Sequence, residues 1–165
     1  MNILERIRYS RNCTNDSFPL PSPIDCLWYA KTEGDGESVD AWLRERRSAD
    51  LRNNTRDHNM RKEVGQAIYM LASAYIQWHR NNIFQVWPDT CGDTQLDFAI
   101  LDACKYTHIA LTDAMLDDTN GINIILAMQA WCHVCALQSW DARQLVEETC
   151  ADFERKHCVV REVVP

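Results

Sequence analysis

The sequence has few of the residues that interrupt regular structure, with five glycines and five prolines among 165 residues. Between these breaks the apolar residues recur every three or four positions, which is the helical period, instead of every second position. Strand-rich folds and domains joined by glycine- or proline-rich linkers are therefore not expected. We predict an all-α protein, a bundle of four to five principal helices, with a single domain over residues 1–158 and a tail over residues 159–165.

Long apolar runs and an excess of positive charge are also lacking. No apolar run reaches the roughly 18 residues of a membrane-spanning helix, and MNILERIRYSRN has no apolar segment followed by a cleavage site. We expect a soluble, cytoplasmic protein with no membrane partner. Seventeen Lys and Arg against twenty-four Asp and Glu give a net charge of −7, which opposes binding to nucleic-acid phosphates. A polynucleotide partner is therefore not expected, whereas a small nucleotide is compatible with this charge.

Motifs of several common functional classes are missing. The sequence contains neither a GxxxxGK phosphate loop nor a GxGxxG segment, and no local motif pairs its histidines with a nucleophile. The eight cysteines fall mostly inside apolar helical patterns, so we expect free, buried thiols. The CxxC segment Cys132–Cys135 lies within an apolar stretch instead of on a turn, which disfavours a structural zinc site.

The helices are delimited by capping residues and breaks. Ser22 and Pro23 are typical of an N-cap and a first helical position, because proline's missing N–H costs nothing there. Ser139–Asp141 supplies capping oxygens for a last helix, which we expect to end near residue 157. A short amphipathic segment over 2–10 is followed by a loop over 12–21, and further loops are expected over 48–59 and 87–92. The other predicted helices cover about 23–46, 60–79, 94–116 and 122–138.

The first long helix contains two glycines and an acidic stripe. Each glycine should cost about 1 kcal/mol relative to alanine. This cost is tolerable if the backbone approaches another helix closely or if the helix is locally distorted. Around the glycines, Glu33, Glu37 and Asp40 are spaced i, i+4 and i+7, so an ordinary α-helix would place them on one face.

The next long helix carries Glu63 and Gln66, spaced i, i+3 on one face. If the two helices pack antiparallel, their acidic groups meet across the interface. Carboxylates that face each other are unfavourable unless they are protonated or bridged by cations, and oxygen ligands of this kind suit Mg²⁺.

The segments TEGDGE (residues 32–37) and KEVGQ (62–66) resemble the two motifs of the all-α nucleoside triphosphate pyrophosphohydrolases of the MazG and dimeric dUTPase superfamily. That family carries Glu-Glu-x-x-Glu on one helix and Glu-x-x-Asp on a later one. The resemblance covers about residues 23–80. Gly34 and Gln66 stand where the family has carboxylates, and a second register, Glu37 to Asp40, supplies a carboxylate through Asp40.

The resemblance implies a MazG-like fold and Mg²⁺-dependent, or alternatively Mn²⁺-dependent, hydrolysis of a nucleoside triphosphate to pyrophosphate and a nucleoside monophosphate. It also implies a homo-oligomer. It assigns metal binding to Glu33, Glu37, Asp40 and Glu63, catalysis to Glu37 and Glu63, and substrate binding to Lys31, Arg61, Lys62 and Gln66.

Two other hypotheses stay open. The first is a MazG-like scaffold that has lost catalysis and acts as a nucleotide-binding or protein-interaction module, because Gly34 and Gln66 remove two family carboxylates. The second is a helical bundle with no family connection that acts through protein contacts alone. A converging carboxylate cluster would favour the enzyme, whereas an exposed apolar patch without an acidic cleft would favour the pure interaction protein.

Overall fold

A computed structural model describes residues 2–15, 19–46, 59–79 and 93–158. These residues form helices and turns and contain no strand. The helices are α1 (Ile3–Thr14), α2 (Pro23–Lys31), a π-helix (Thr32–Ser38), α3 (Val39–Arg46), α4 (Met60–Trp78), α5 (Leu96–Met115), α6 (Ile122–Leu137) and α7 (Ala142–His157). Because α2, the π-helix and α3 are continuous, the described residues contain six helices. The all-α prediction is confirmed, and the number of helices exceeds the predicted four to five.

The predicted capping residues begin their helices as expected. Ser22 accepts a hydrogen bond from the backbone N–H of Asp25 (3.2 Å), and Pro23 follows as the first helical residue. Asp141 accepts hydrogen bonds from the N–H groups of Arg143 and Gln144 at the start of α7. Local side-chain oxygens satisfy the first N–H groups of a helix, which explains why these ends could be placed from sequence.

Helix α1 is longer than the predicted segment over 2–10. It begins with a reciprocal pair of hydrogen bonds between Asn2 and Glu5 and continues to Thr14. Residues 12–14 are therefore helical, although their polar character predicted a loop. Arg11 and Thr14 are buried where α1 packs against α4 and α7, and Thr14 donates its hydroxyl hydrogen to the Ser10 carbonyl. The packing of these polar residues against neighbouring helices outweighs the preference of polar residues for a loop.

Helix α4 lies at the centre of the bundle. It packs against α1, α2, the π-helix, α3, α6 and α7. The predicted stripe is buried along its whole length, namely Val64, Ala67, Ile68, Leu71, Ala74 and Tyr75. Glu63, Gly65 and Ser73 are also buried, because neighbouring helices cover more than one side of α4. A central helix of this kind can hold a charged side chain, such as that of Glu63, in the interior of the bundle.

Helices α5 and α6 form an antiparallel pair that packs against the π-helix. The turn between them ends at Gly121, whose φ of 81° is in the left-handed region that glycine adopts easily. No single helix of the described residues is long and apolar enough to cross a membrane, although the sharply bent pair α6 and α7 reaches that length and composition together. Of the predicted loop over 48–59 only Asn59 is described, as the N-cap of α4, and the predicted loop over 87–92 and the tail over 159–165 lie outside the described residues.

The cysteines of the described residues are free thiols, as predicted. Four of them are buried, namely Cys26, Cys132, Cys135 and Cys150. Cys13 is exposed, and Cys104 and Cys158 are half-buried, so the expectation of burial fails for these three. Cys13 and Cys158 lie at the ends of α1 and α7, where fewer neighbouring helices cover a side chain.

Candidate functional site

Three carboxylates from two helices converge on one point of the bundle. Glu33 and Glu37 come from the π-helix and Glu63 from α4, and one oxygen of each lies within 4.8 Å of the other two. Glu63 is 3% exposed, Glu33 is half-buried and Glu37 is exposed. We call these three residues the carboxylate group; it forms a site that is closed on the α4 side and open at Glu37.

The π-helix that carries two of these carboxylates rests on Trp131 of α6. A Cβ atom at Gly34 would lie 2.7 Å from Cζ2 of Trp131, so only glycine fits there without displacement. The Trp131 indole is fully buried and donates a hydrogen bond to the Thr107 hydroxyl of α5 (3.1 Å). Both predicted reasons for a helical glycine, a close approach and a local distortion, therefore apply at Gly34. Gly36 has open space around it.

The geometry of the π-helix also explains why Asp40 is not brought to the carboxylate group. A π-helix has i→i+5 hydrogen bonds and a wider turn than an α-helix, so residues beyond it point in other directions than an α-helical wheel predicts. The Ser38 hydroxyl donates to the Glu33 carbonyl at this i+5 spacing. The side chain of Asp40 is 69% exposed and pairs with Arg44 at 3.1 Å. The structure therefore places three of the four predicted metal ligands together.

Burial and mutual repulsion change the protonation of the carboxylate group. Burial, followed by the hydrogen bond and charge of Glu63 and then the charge of Glu37, raises the pKa of Glu33 to about 9. The metal-free protein therefore holds a proton on this group at neutral pH. A bound divalent cation would replace that proton, because it would neutralise the facing carboxylates more effectively.

Gln66 lies against two of the three carboxylates. With its amide nitrogen turned toward them, it donates hydrogen bonds to Oε2 of Glu33 and Oε2 of Glu63, both at 3.0 Å. The opposite amide orientation would place its carbonyl oxygen against acceptors only. The structure therefore places Gln66 at the carboxylate group as well as on the groove described next.

A groove of about 370 Å³ between α4 and α7 begins beside Gln66. The predicted substrate-binding residues Arg61 and Lys62 line it, and Arg61 pairs with Glu148 of α7 (Nη2 to Oε1, 3.1 Å). Arg155 of α7 also lines the groove, and it was not among the predicted substrate-binding residues. Its place in the basic last turn of α7 is a sequence signal that could have found it.

Lys31 lies in a different cluster. Its ammonium donates to Oδ2 of Asp35 at 2.7 Å and lies 3.1 Å from Nδ1 of His108 on α5. These contacts tie the start of the π-helix to α5. Of the four predicted substrate-binding residues, Arg61, Lys62 and Gln66 therefore share the groove, and Lys31 is held by Asp35 and His108.

The chemistry of the carboxylate group fits Mg²⁺ or Mn²⁺. Both ions prefer oxygen ligands, and Mg²⁺ usually takes only one or two carboxylates from the protein and completes its octahedron with water and substrate phosphates. Glu63 and Glu33 would bind the ion from the closed side of the carboxylate group. The open side, at Glu37, faces solvent, where water and substrate phosphates can reach the ion.

No protein-family model matches the chain, and no curated protein or solved structure is detectably similar to it. A function for this chain therefore has to be argued from the carboxylate group and the groove.

Proposed function

We propose that this protein is a MazG-like, Mg²⁺-dependent nucleoside triphosphate pyrophosphohydrolase that releases pyrophosphate and a nucleoside monophosphate. The observation that supports this proposal is the convergence of Glu33, Glu37 and Glu63 within 4.8 Å from two helices. Facing carboxylates are costly unless a proton or a cation compensates them, so their convergence in a half-open site favours a cation-binding role.

In this reaction water attacks the α-phosphorus, and the bond between that phosphorus and the oxygen bridging to the β-phosphate breaks. A bound Mg²⁺ supplies charge neutralisation at the phosphate oxygens and lowers the pKa of water. Glu33 and Glu63 would hold the ion from the buried side of the site. Glu37 is exposed, and one of its carboxylate oxygens accepts the proton that the attacking water loses.

The groove extends the site toward the rest of the substrate. Gln66 belongs both to its lining and to the surroundings of Glu33 and Glu63, so a nucleotide bound in the groove would lie beside the carboxylate group. Arg61, Lys62 and Arg155 offer positive charge to the phosphates. Arg61 would exchange its ion pair with Glu148 for the substrate.

Gln66 also favours a second function, a nucleotide-binding or protein-interaction module without catalysis. Its amide nitrogen donates hydrogen bonds to both Glu33 and Glu63. These hydrogen bonds partly compensate the facing carboxylates, as a bound cation would otherwise do. A neutral amide oxygen is also a weaker ligand than the carboxylate that the resemblance leads us to expect at this position. In this second function the groove and its cations remain, and the metal affinity is low.

We further propose that the protein is cytoplasmic, where nucleoside triphosphates are available, and that it self-associates. Self-association is supported by large apolar side chains exposed on α2 and α5, namely Trp28, Tyr29, Phe98 and Leu101, which are 47–61% exposed. Exposed apolar side chains of this size are common at interfaces between subunits.

The decisive experiment measures pyrophosphate release from a panel of ribo- and deoxyribonucleoside triphosphates with Mg²⁺ or Mn²⁺. The Glu63→Gln variant removes a ligand of the buried side, and Asp102→Asn, which changes an exposed carboxylate on α5, is the matched control. Circular dichroism confirms that both variants are folded. Release that is lost in Glu63→Gln and kept in Asp102→Asn supports the enzyme.

Binding of Mn²⁺ and of nucleotides to the same proteins separates the two functions. Nucleotide binding without release and with weak Mn²⁺ affinity supports the inactive module. In that case Gln66→Asp, which restores the family's carboxylate, should tighten Mn²⁺ binding by at least about tenfold, or roughly 1.4 kcal/mol. Absence of both release and nucleotide binding would exclude the enzyme and the nucleotide-binding module, and would leave a protein that acts through protein contacts alone.

A further inference from the structure

Cys13 and Cys158 lie beside each other at the ends of α1 and α7. Cys13 lies in the last turn of α1 and Cys158 directly follows α7, and the Cys158 thiol donates to the Cys13 carbonyl oxygen at 3.5 Å. These residues are 145 positions apart in the sequence. Cys13 is exposed and Cys158 is half-buried, so small molecules can reach this pair from solvent.

The packing of α1 along α7 holds the two thiols together. Arg6 of α1 binds both Glu147 and Glu154 of α7, each through a contact of 2.7 Å. These two ion pairs fix the register of α1 against α7 one to two turns before Cys13 is reached. The closeness of Cys13 and Cys158 is therefore a consequence of a helix–helix interface and not of an isolated loop.

Cys13 differs from the other cysteines of the described residues, because it is exposed to solvent. Cys26, Cys132, Cys135 and Cys150 are buried, and burial raises the pKa of each thiol, which makes the reactive thiolate scarce. Burial and then the charge and hydrogen bond of Asp35 raise the pKa of Cys104 to about 12.

Electrostatic contacts of the pair agree with its geometry. Partial burial, and after it the charge of Cys13, raise the pKa of the Cys158 thiol, and a hydrogen bond between the two side chains adds to the shift. A hydrogen bond with Cys13 also raises the pKa of the exposed Tyr9 hydroxyl. The side chains of Tyr9 and Cys158 therefore both interact electrostatically with the Cys13 thiol.

We propose that Cys13 and Cys158 form a site of reversible oxidation, an intramolecular disulfide made by exchange with a small-molecule disulfide such as glutathione disulfide. The exposed Cys13 attacks as the thiolate and forms a mixed disulfide, which releases one glutathione thiol. Cys158 then loses its proton and attacks the sulfur of Cys13, which releases the second glutathione thiol. The two protein thiols are oxidised by two electrons, and one molecule of glutathione disulfide is reduced to two of glutathione.

The disulfide would join α1 to α7, the first and last helices of the described residues. Cross-links that close long loops restrict the unfolded chain most, and this one encloses nearly the whole described fold. We expect a rise of about 5 to 15 °C in the melting temperature of the oxidised protein, from typical disulfide effects and the size of the chain. The proposal does not depend on the carboxylate group or its function.

The experiment treats the full chain, first reduced with dithiothreitol, with a range of glutathione disulfide to glutathione ratios. The expected product is monomeric, has lost two hydrogens in its intact mass, and yields a joined peptide containing Cys13 and Cys158. Cys13→Ser and Cys158→Ser should each abolish that peptide and the thermal shift. Cys104→Ser, which changes a half-buried thiol elsewhere, should keep both.

The outcomes are distinct. A joined peptide of Cys13 and Cys158 that dithiothreitol reverses supports the proposal. Glutathione that remains attached to Cys13, a disulfide involving another cysteine, or a cross-link between two chains would overturn it. Destabilised serine variants cannot mimic the expected result, because the joined peptide is identified directly in the unaltered chain.

Discussion

Replacement of the two glycines of the π-helix tests how its geometry is held. Gly34→Ala places a Cβ 2.7 Å from Cζ2 of Trp131, whereas Gly36→Ala places one with no atom within 4 Å apart from its chain neighbours and the nearby backbone of its own helix. Trp131 cannot easily move, because it is fully buried and hydrogen-bonded to Thr107. The two variants make the same chemical change two residues apart, so each is the control for the other.

The expected difference follows from two opposing effects. Alanine is better than glycine in a helical backbone by about 1 kcal/mol, and both variants gain this amount. An added methyl group in a well-packed core costs about 1–3 kcal/mol, and only Gly34→Ala carries this cost. We therefore expect the free energy of unfolding of Gly36→Ala to exceed that of Gly34→Ala by about 1–3 kcal/mol. This difference corresponds to a melting temperature about 2 to 12 °C higher.

Thermal and urea unfolding of both variants measure this difference, and Mn²⁺ titration measures its effect on the site. Gly34→Ala should weaken Mn²⁺ binding, because displacement of the π-helix moves Glu33 and Glu37, whereas Gly36→Ala should bind as the unaltered protein does. In a Trp131→Phe background the cost of Gly34→Ala should shrink, since the smaller ring leaves room for the methyl group. Equal stability of the two single variants would refute the role given to Trp131.

The remaining predictions concern charge and buried polarity. The pKa of Glu33 is about 9 in the folded protein and 4.5 ordinarily, so the stability of the metal-free protein should fall as pH rises between these values. Urea unfolding in EDTA at several pH values checks this. Glu33→Gln should flatten the dependence of the unfolding free energy on pH. Mn²⁺ affinity should rise over the same interval, because binding displaces the proton, and titration calorimetry at several pH values measures it. Thr107→Val should cost about 1–3 kcal/mol of unfolding free energy, because the buried Trp131 N–H loses its acceptor, and an unchanged urea midpoint would contradict this. Asp40→Asn should leave Mn²⁺ affinity within about twofold in the same titration, since Asp40 is exposed and pairs with Arg44, and a tenfold loss would show that it is a ligand after all.

Local sequence signals determined the helices and much of the site's composition. Capping by Ser22 and Asp141, and apolar periodicity along α4, act within a few residues, so they can be found without knowledge of the fold. Glu33, Glu37 and Glu63 could also be named from their spacing on two successive helices, but the prediction that they meet depended on antiparallel packing of those helices. The 2–10 prediction for α1 was too short, because the burial of Arg11 and Thr14 is a tertiary effect.

Only the tertiary structure decided how those residues are used. Trp131 lies on a helix almost 100 residues after Gly34 in the sequence. An α-helical wheel over Glu33, Glu37 and Asp40 cannot include its contact with the π-helix, because the wheel considers neighbours in the chain only. The raised pKa of Glu33 and the position of Cys158 beside Cys13 also depend on groups far away in the sequence. Burial and electrostatic effects act between neighbours in space, so they are set by packing, whereas the capping and periodicity that define the helices are set by neighbours in the chain.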